Sequence, residues 1–240
     1  MRNTGYDSPA VVERYAALRE QGLTDRETAA IDRFFDPDAG VLDLGCGAGR
    51  TTGPLRERGF DVVAADVSGP MVESAREAVP DCSFAVADAA TLPFGDRSFD
   101  AVLFSYNGLD ELRPEAARLD ALREIRRVLV PGGTVAFSTR NWLRWLVPFP
   151  PTRSTLSSIL RFWRVNLLQG NLGSPYKFDV TSMSPKRVHF SEPWFQTGQL
   201  RRVGLEPVAR LGNPGPLSAV FGPSLFVVAR RPYIGRSTRC

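Results

Sequence analysis

The chain has 240 residues, of which 43% are hydrophobic and 23% charged, as is ordinary for a globular protein of one large domain. An odd number of cysteines without metal-ligand spacing argues against a disulfide framework and a zinc site. No apolar stretch approaches the ~20 residues of a membrane span, and the N-terminus shows no signal-peptide pattern. We therefore expect a single cytoplasmic domain over residues 1–240, without bound metal.

The net charge of +4 conceals an uneven distribution along the chain. Residues 1–125 carry 23 acidic and 13 basic side chains, whereas residues 126–240 carry 3 acidic and 17 basic ones. Two interpretations stay open. The second half binds an anionic partner, or the two halves lie side by side and neutralise each other.

The predicted elements alternate between helices and strands over the first part of the chain. A Ser-Pro pair opens a helix over residues 8–20, and a capping box of Thr24 and Glu27 begins a second helix. Short apolar runs then predict buried strands separated by helices, with strands over 41–44, 62–65, 83–87, 99–104 and 134–138 and a helix over 114–129 before the last of them. Such alternation predicts a parallel sheet with helices on both faces, and a ligand beyond the carboxyl ends of its strands.

The alternation stops over residues 141–188, which hold three of the four tryptophans and one predicted helix near 155–168. A further helix then ends near Gly204, and two strands follow over 206–211 and 225–229. We divide the chain accordingly into N-terminal helices over 1–37, a ligand-binding core over 38–140, an inserted cap over 141–188, a C-terminal helix with a strand pair over 189–230 and a basic tail over 231–240.

A glycine-rich turn follows the first predicted strand, with glycines at positions 45, 47 and 49. This spacing is one residue shorter than the Gly-x-Gly-x-x-Gly fingerprint of dinucleotide sites. Asp43 lies just before the turn, where a pyrophosphate would meet an unfavourable negative charge. A ligand with an ammonium and a sulfonium group, such as S-adenosylmethionine, is favoured instead.

The next two strands also end at carboxylates. Asp66 ends the second strand, where a carboxylate can accept hydrogen bonds from both ribose hydroxyls. Asp88 ends the third, where a carboxylate can accept from an adenine amino group. Three successive strand ends therefore present an aspartate toward one crevice.

Together these residues resemble the class I S-adenosylmethionine-dependent methyltransferases over about residues 38–140, most closely the bacterial and archaeal group with small-molecule acceptors. The resemblance implies a Rossmann-like, doubly wound α/β sheet of seven mostly parallel strands with the last one antiparallel. By this resemblance, Asp43 and the glycine turn would hold the methionine part of S-adenosylmethionine, the end of the second strand its ribose, and the end of the third strand its adenine. The residues after the fourth strand would line the crevice in which the methyl group is transferred. The predicted cofactor-binding residues are Asp43, Gly45, Cys46, Gly47, Gly49, Asp66, Val67, Asp88, Ala89 and Ser105.

The acceptor is less constrained by the sequence. Candidate general bases are Tyr106, Asp110, Glu111 and His189, of which Tyr106 and His189 are the predicted catalytic residues. Aromatic and arginine residues alternate in the cap, including Phe149, Phe162 and Trp163. The predicted acceptor-binding residues are Tyr106, Asn107, Arg140, Trp142 and Trp145.

Several functions stay open at this point. The cap could cover an aromatic or anionic small acceptor, lie on a membrane and present a lipid or quinone, pack as plain core, or stack on single-stranded RNA. Nucleic acid is not favoured, because neither the Asn/Asp-Pro-Pro-aromatic motif of base-amine methylation nor a Pro-Cys nucleophile occurs. A protein that binds S-adenosylmethionine without turnover is the non-enzymatic alternative. The sequence names neither the acceptor nor the oligomeric state.

Overall fold

The computed structural model describes residues 5–147, 150–180, 187–191, 193–212 and 220–233. Phe149 of the predicted cap and Cys240, with residues 234–240 of the predicted tail, lie outside the described residues.

Up to residue 140 the strands and helices follow the predicted order, and the strands over Ser83–Val86 and Phe99–Phe104 follow each other without a helix between them. The strands are β1 (Gly40–Leu44), β2 (Asp61–Asp66), β3 (Ser83–Val86), β4 (Phe99–Phe104), β5 (Leu129–Arg140), β6 (Tyr176–Phe178), β7 (Arg187–His189), β8 (Glu206–Leu211) and β9 (Ser224–Arg230). The helices are α1 (Pro9–Ala17), α2 (Asp25–Phe34), α3 (Thr52–Glu57), α4 (Gly69–Ala78), α5 (Glu115–Val128), α6 (Arg153–Leu168) and α7 (Pro193–Arg202). Three short 3₁₀ turns cover Leu18–Gln21, Gly108–Glu111 and Trp142–Trp145.

Seven strands form one sheet in the order β3-β2-β1-β4-β5-β9-β8. β9 runs antiparallel to both of its neighbours, while β1 to β5 pair in parallel. The predicted fold class is therefore confirmed, including the antiparallel last strand. Because β1, β2 and β4 are parallel neighbours, their carboxyl ends meet at one edge of the sheet.

Apolar side chains from the strands enter a core on each face of the sheet. On β1, Leu42 and Leu44 pack into one cluster and Val41 into the other. Successive strand residues point to opposite faces, so a run of apolar residues serves both layers at once. This is why the strands read as continuous apolar runs in the sequence.

The fifth strand begins five residues earlier than predicted. The sequence indicates a break at Pro131 and the two glycines after it, yet this segment lies inside β5. Two backbone hydrogen bonds hold it there, from Gly132 N to the Arg231 carbonyl (2.8 Å) and from Arg231 N to the Gly133 carbonyl (2.8 Å). A partner about 100 residues away overrides the local turn signal, and no sequence window around Pro131 contains that information.

The cap contains more regular structure than the one predicted helix. α6 is present and is capped by Thr152, whose Oγ1 accepts from Thr155 N at 3.1 Å. The 3₁₀ turn precedes it, and the short antiparallel pair of β6 and β7 follows. The cap has a core of its own, in which the Trp145 ring stacks on Phe162 at 4.1 Å. Across the described residues, no helix is long and apolar enough to cross a membrane.

Candidate functional site

A cavity of about 990 Å³ opens at the carboxyl ends of β1, β2 and β4. Leu44, Asp66 and Phe104, the last residues of these strands, line it. Its volume is at the upper end of the roughly 300–1,000 Å³ typical of small-molecule sites. The predicted position of the ligand site agrees with this cavity.

The glycine turn forms one wall of the cavity. Gly45 (φ +67°) and Gly47 (φ +55°) line it, and both have left-handed backbone that other residues adopt at a cost. A Cβ at Gly45 would lie 2.8 Å from the Phe104 ring, so the space behind the turn is also closed to a side chain. Gly49 does not line the cavity. It faces Ala75 on α4, where an added Cβ would lie 3.3 Å from the alanine Cβ.

Asp43 lies behind the turn and not in the cavity. Its carboxylate is 1% exposed and accepts hydrogen bonds from the hydroxyls of Thr51 (2.8 and 2.9 Å) and Thr52 (2.7 Å). Burial raises the pKa of Asp43 to about 6 in spite of these hydroxyls. Asp43 does not line the cavity, and its hydrogen bonds fix the turn to α3, while its predicted contact with the ligand stays a prediction. Cys46 is buried in the turn and does not line this cavity either.

Asp66 occupies the wall next to the turn. One carboxylate oxygen accepts from Gly47 N and the other from Ser68 N, each at 2.9 Å. Burial raises the pKa of Asp66 even though backbone N–H groups stabilise its charge. Asp66 lines the cavity, and Val67 beside it lines the cavity as well and is 41% exposed.

Asp88 and Ala89 lie further along the same wall, after β3. The Asp88 Oδ1 accepts from Ala90 N at 3.0 Å, which orients the carboxylate. The structure thus brings both predicted strand-end carboxylates, Asp66 and Asp88, together with the two glycines on one surface.

A buried ion pair that the sequence did not reveal supports the floor of the cavity. Arg50 donates to both carboxylate oxygens of Glu27, at 2.6 and 2.8 Å, and Ser105 Oγ contacts the same carboxylate. Burial would raise the pKa of Glu27, but Arg50 and Ser105 hold it below its usual range. Glu27 also caps α2 by accepting from Thr24 N at 2.7 Å. The capping box predicted only this local role, because nothing in the sequence pairs residues 27 and 50.

Tyr106 and Asn107 line the middle of the cavity in left-handed backbone, with φ values of +53° and +62°. Tyr106 is 44% exposed, and the Arg50 guanidinium lies 5.3 Å from its ring centroid. Asn107 N donates to Ser138 Oγ at 2.6 Å. Both residues line the cavity, and their predicted contact with an acceptor stays a prediction.

The far wall is built by Arg140 and the start of the cap. Arg140 donates hydrogen bonds to Asp179 (2.8 Å) and Glu111 (3.2 Å). Trp145 lines the cavity, and the guanidinium carbon of Arg144 lies 4.6 Å from the centroid of the Trp145 ring. Burial would lower the pKa of Arg140, but the surrounding carboxylates raise it, so the guanidinium stays charged. Trp142, in contrast, does not line the cavity.

Trp142 and His189 are two predicted site residues that the structure places elsewhere. Trp142 packs edge-on against Trp163 at 6.0 Å. His189 is fully buried behind the far wall, where its Nδ1 is 2.9 Å from Ser191 Oγ. Burial, with the nearby Arg118 charge, lowers the pKa of His189 to about 3. A neutral imidazole outside the cavity cannot contact an acceptor, so its predicted catalytic role is not supported.

The N-terminal segment closes the cavity from above with Tyr6 and Tyr15, which the sequence analysis did not single out. Burial is the main cause, and the Glu111 carboxylate the second, of a raised pKa at both tyrosines. The pKa of Tyr6 is raised, and that of Tyr15 is raised to about 12. Both hydroxyls therefore stay protonated and act as hydrogen-bond donors or acceptors beside Glu111. Tyr15 lies on α1 and Tyr6 precedes that helix, and nothing in the sequence distinguishes the two from tyrosines that pack in the core.

Comparison with known proteins decides the family. A family model described as a methyltransferase domain matches residues 41–133. A methyltransferase of Synechocystis sp. is 34% identical over 152 residues, which are 60% of this chain and 71% of that protein. This chain belongs to the class I S-adenosylmethionine-dependent methyltransferases.

Other relatives of this chain match over shorter segments. Demethylmenaquinone methyltransferase of Beutenbergia cavernae is 42% identical over 109 residues, which are 44% of each chain, so the match spans less than half the length of that relative. A methyltransferase structure from Methanosarcina mazei has a TM-score of 0.68, covers 88% of this chain and 99% of its own, and is 19% identical. At this identity the likeness shows the fold.

The residues that line the cavity fit the cofactor of this family. A Cβ at Gly47 would lie 3.6 Å from the Tyr15 ring, in the gap between the turn and the tyrosine, so the glycine leaves this gap open. The acidic residues Asp66 and Asp88 beside the gap suit a ligand with positive charges and ribose hydroxyls. S-adenosylmethionine has both features.

Proposed function

We propose that this methyltransferase moves the methyl group of S-adenosylmethionine to a small-molecule acceptor with an anionic or aromatic group. The observation that carries the proposal is the composition of one continuous cavity. Gly45, Gly47 and Asp66 line one end of it, and Arg140 and Trp145 line the other. A single space with two chemically different ends is what a reaction between two bound molecules requires.

Each wall would position one reactant. Asp66 would accept hydrogen bonds from the ribose hydroxyls, Asp88 from the adenine amino group, and the Gly45–Gly47 backbone would lie against the methionine part. S-adenosylmethionine supplies a methyl group that its sulfonium makes electrophilic. Tyr106 lies between the two ends, where its ring would help to hold the acceptor atom at ~3–3.5 Å from that methyl group.

Two unpaired donors favour an anionic or oxygen-rich acceptor. Within the described residues, the Arg140 Nη1 and Trp145 Nε1 atoms are buried and have no hydrogen-bond partner. A buried donor without a partner costs about 1–3 kcal/mol, so a ligand that supplies an acceptor oxygen would be stabilised there. Arg144 adds a positive charge on the same wall, and Trp145 and Phe190 offer ring surfaces.

Glu111 is the residue that we assign to proton transfer. It lines the cavity next to Arg140, whereas Asp110 and His189, the other carboxylate and the imidazole considered from the sequence, do not line it. Tyr106 lines the cavity too, but a phenol is a weak base near neutral pH. An acceptor that must lose a proton would pass it to the Glu111 carboxylate.

A quinone ring is the second candidate acceptor. A relative that is 42% identical over 109 residues is named a demethylmenaquinone methyltransferase. The Trp145 and Phe190 rings on the far wall would also suit a flat aromatic acceptor. Cytoplasmic location and the absence of a metal stay predictions, as does the absence of nucleic acid.

The first experiment is calorimetric titration of the purified protein with S-adenosylmethionine, S-adenosylhomocysteine and NADH. We expect saturable binding of both sulfur ligands and none of NADH. The protein is then assayed with S-adenosylmethionine against aromatic carboxylates, phenols and a demethylated quinone. Turnover of a carboxylate that Arg144→Gln weakens and that Arg202→Gln, at an exposed arginine outside the cavity, leaves intact would support the proposed acceptor. Binding of the sulfur ligands without turnover of any acceptor would favour the non-enzymatic alternative.

A further inference from the structure

One face of α6 carries exposed leucines and is not used in packing. Leu156, Leu160 and Leu167 are 49%, 63% and 63% exposed. They occupy positions i, i+4 and i+11, which lie on the same side of a helix. The opposite side, with Ile159 and Phe162, is buried in the core of the cap. We refer to the three leucines as the leucine face. It is about 16 Å long.

The exposed apolar surface continues into the segment before α6. Trp163 on α6 donates from Nε1 to the Trp145 carbonyl at 2.9 Å, which holds that segment against the helix. The next two residues, Leu146 and Val147, are 49% and 41% exposed. Because Trp145 lines the cavity, the apolar surface adjoins the wall assigned to the acceptor. Exposed contiguous apolar surface of this kind marks an interaction site more often than chance exposure.

Unpaired arginines flank the leucine face. Arg153 lies three residues before Leu156 and Arg164 four residues after Leu160, so both neighbour the leucines on the helix surface. Both are exposed, and neither forms an ion pair within the described part of the chain. α6 contains no acidic residue.

The excess basic charge of residues 126–240 is therefore not neutralised at α6 by the acidic first half. Among the arginines beyond residue 125 that the structure describes, Arg127 and Arg140 are the ones that form ion pairs with carboxylates. Of the two interpretations of the charge split, an anionic partner is favoured for this surface.

We propose that the leucine face and its flanking arginines bind an anionic membrane surface, with α6 lying in the plane of the interface. Leucines would enter the boundary between headgroups and acyl chains, and Arg153 and Arg164 would contact lipid phosphates. A second copy of the chain fits less well, because two leucine faces related by a twofold axis would bring like-charged arginines together. A lipid-soluble acceptor would then reach the cavity from the bilayer.

The test is co-sedimentation of the full chain with vesicles of phosphatidylcholine alone or mixed with phosphatidylglycerol. We expect binding to the anionic vesicles that weakens as salt rises from about 0.1 M to about 1 M and the Debye length falls from about 10 Å to about 3 Å. The double variant Leu160→Gln/Leu167→Gln should lower the partition coefficient by at least about tenfold. Arg153→Gln/Arg164→Gln should lower the partition coefficient roughly 10- to 30-fold on the anionic vesicles and leave it unchanged on vesicles of phosphatidylcholine.

Val208→Gln is the matched control, because Val208 is 44% exposed on β8 and should leave binding unchanged. Circular dichroism melting verifies that each variant folds. The proposal is overturned if the wild-type protein does not bind anionic vesicles. It is also overturned if the double leucine variant binds them as well as the wild type does. So does a dimer in sedimentation that dissociates in the leucine variant without any vesicle binding. The assay needs neither cofactor nor acceptor, so its failure leaves the proposed methyl transfer untouched.

Discussion

Replacement of Asp66 by alanine separates two roles of one carboxylate. The wild-type side chain accepts 2.9 Å hydrogen bonds from Gly47 N and Ser68 N and would also bind the ribose hydroxyls. A hydrogen bond to a charged group contributes about 1.5–3 kcal/mol, so loss of the ribose contact should raise the Kd for S-adenosylhomocysteine roughly 10- to 150-fold. The two orphaned N–H groups should lower the free energy of unfolding by about 1–2 kcal/mol, since water reaches this partly exposed site.

The assay is calorimetric titration with S-adenosylhomocysteine, paired with urea unfolding of the ligand-free protein. Asp61→Ala is the control, because Asp61 begins the same strand, is exposed and does not line the cavity. We expect this control to match the wild type in both measurements. An Asp66→Ala protein that is destabilised but binds S-adenosylhomocysteine within about twofold of the wild type would refute the ribose assignment and leave Asp66 a purely structural residue.

Three further predictions concern buried or strained positions. The wild type should lose up to about 3 kcal/mol of stability relative to Asp43→Asn in urea unfolding as pH rises from about 4 to about 6, because the unfolded chain releases the Asp43 proton near pH 4 whereas the native state, with its raised pKa, keeps that proton up to about pH 6. The wild type should lose stability as pH falls from about 6.5 toward about 3, because in this range His189 binds a proton in the unfolded chain and not in the native state. His189→Gln should not show this loss of stability. Its affinity for S-adenosylhomocysteine should equal that of the wild type. Gly45→Ala should abolish this binding in calorimetry and lower the melting temperature, because its Cβ would collide with Phe104.

Each of these predictions has a distinct contrary result. A stability difference for Asp43→Asn that is constant with pH would mean that the carboxylate keeps its ordinary pKa. A large loss of ligand affinity in His189→Gln would return the imidazole to the site. Normal binding by Gly45→Ala would show that the turn can shift away from Phe104.

The glycine turn and the strand-end carboxylates were predictable because they are local in sequence. Glycines that need left-handed backbone and carboxylates at strand ends are features of short segments, and parallel pairing brings the ends of such segments to one edge. Asp66, Asp88, Gly45 and Gly47 therefore lie where the pattern placed them. Asp43 shows the limit of this reasoning. Its position next to the turn is local, but the direction of its side chain depends on the Thr51 and Thr52 hydroxyls.

The sequence by itself determined the order of the strands and helices up to residue 140, the glycine turn and the strand-end carboxylates, since each depends on a window of a few residues. Only the tertiary structure decided which side chains from distant parts of the chain contact these elements. The Glu27–Arg50 pair spans 23 residues and the Arg140–Asp179 pair 39, and buried His189 lies with its Nδ1 3.9 Å from a carboxylate oxygen of Asp110, which is distant in the sequence. Such contacts depend on which surfaces the whole chain buries together, and no local pattern encodes that choice.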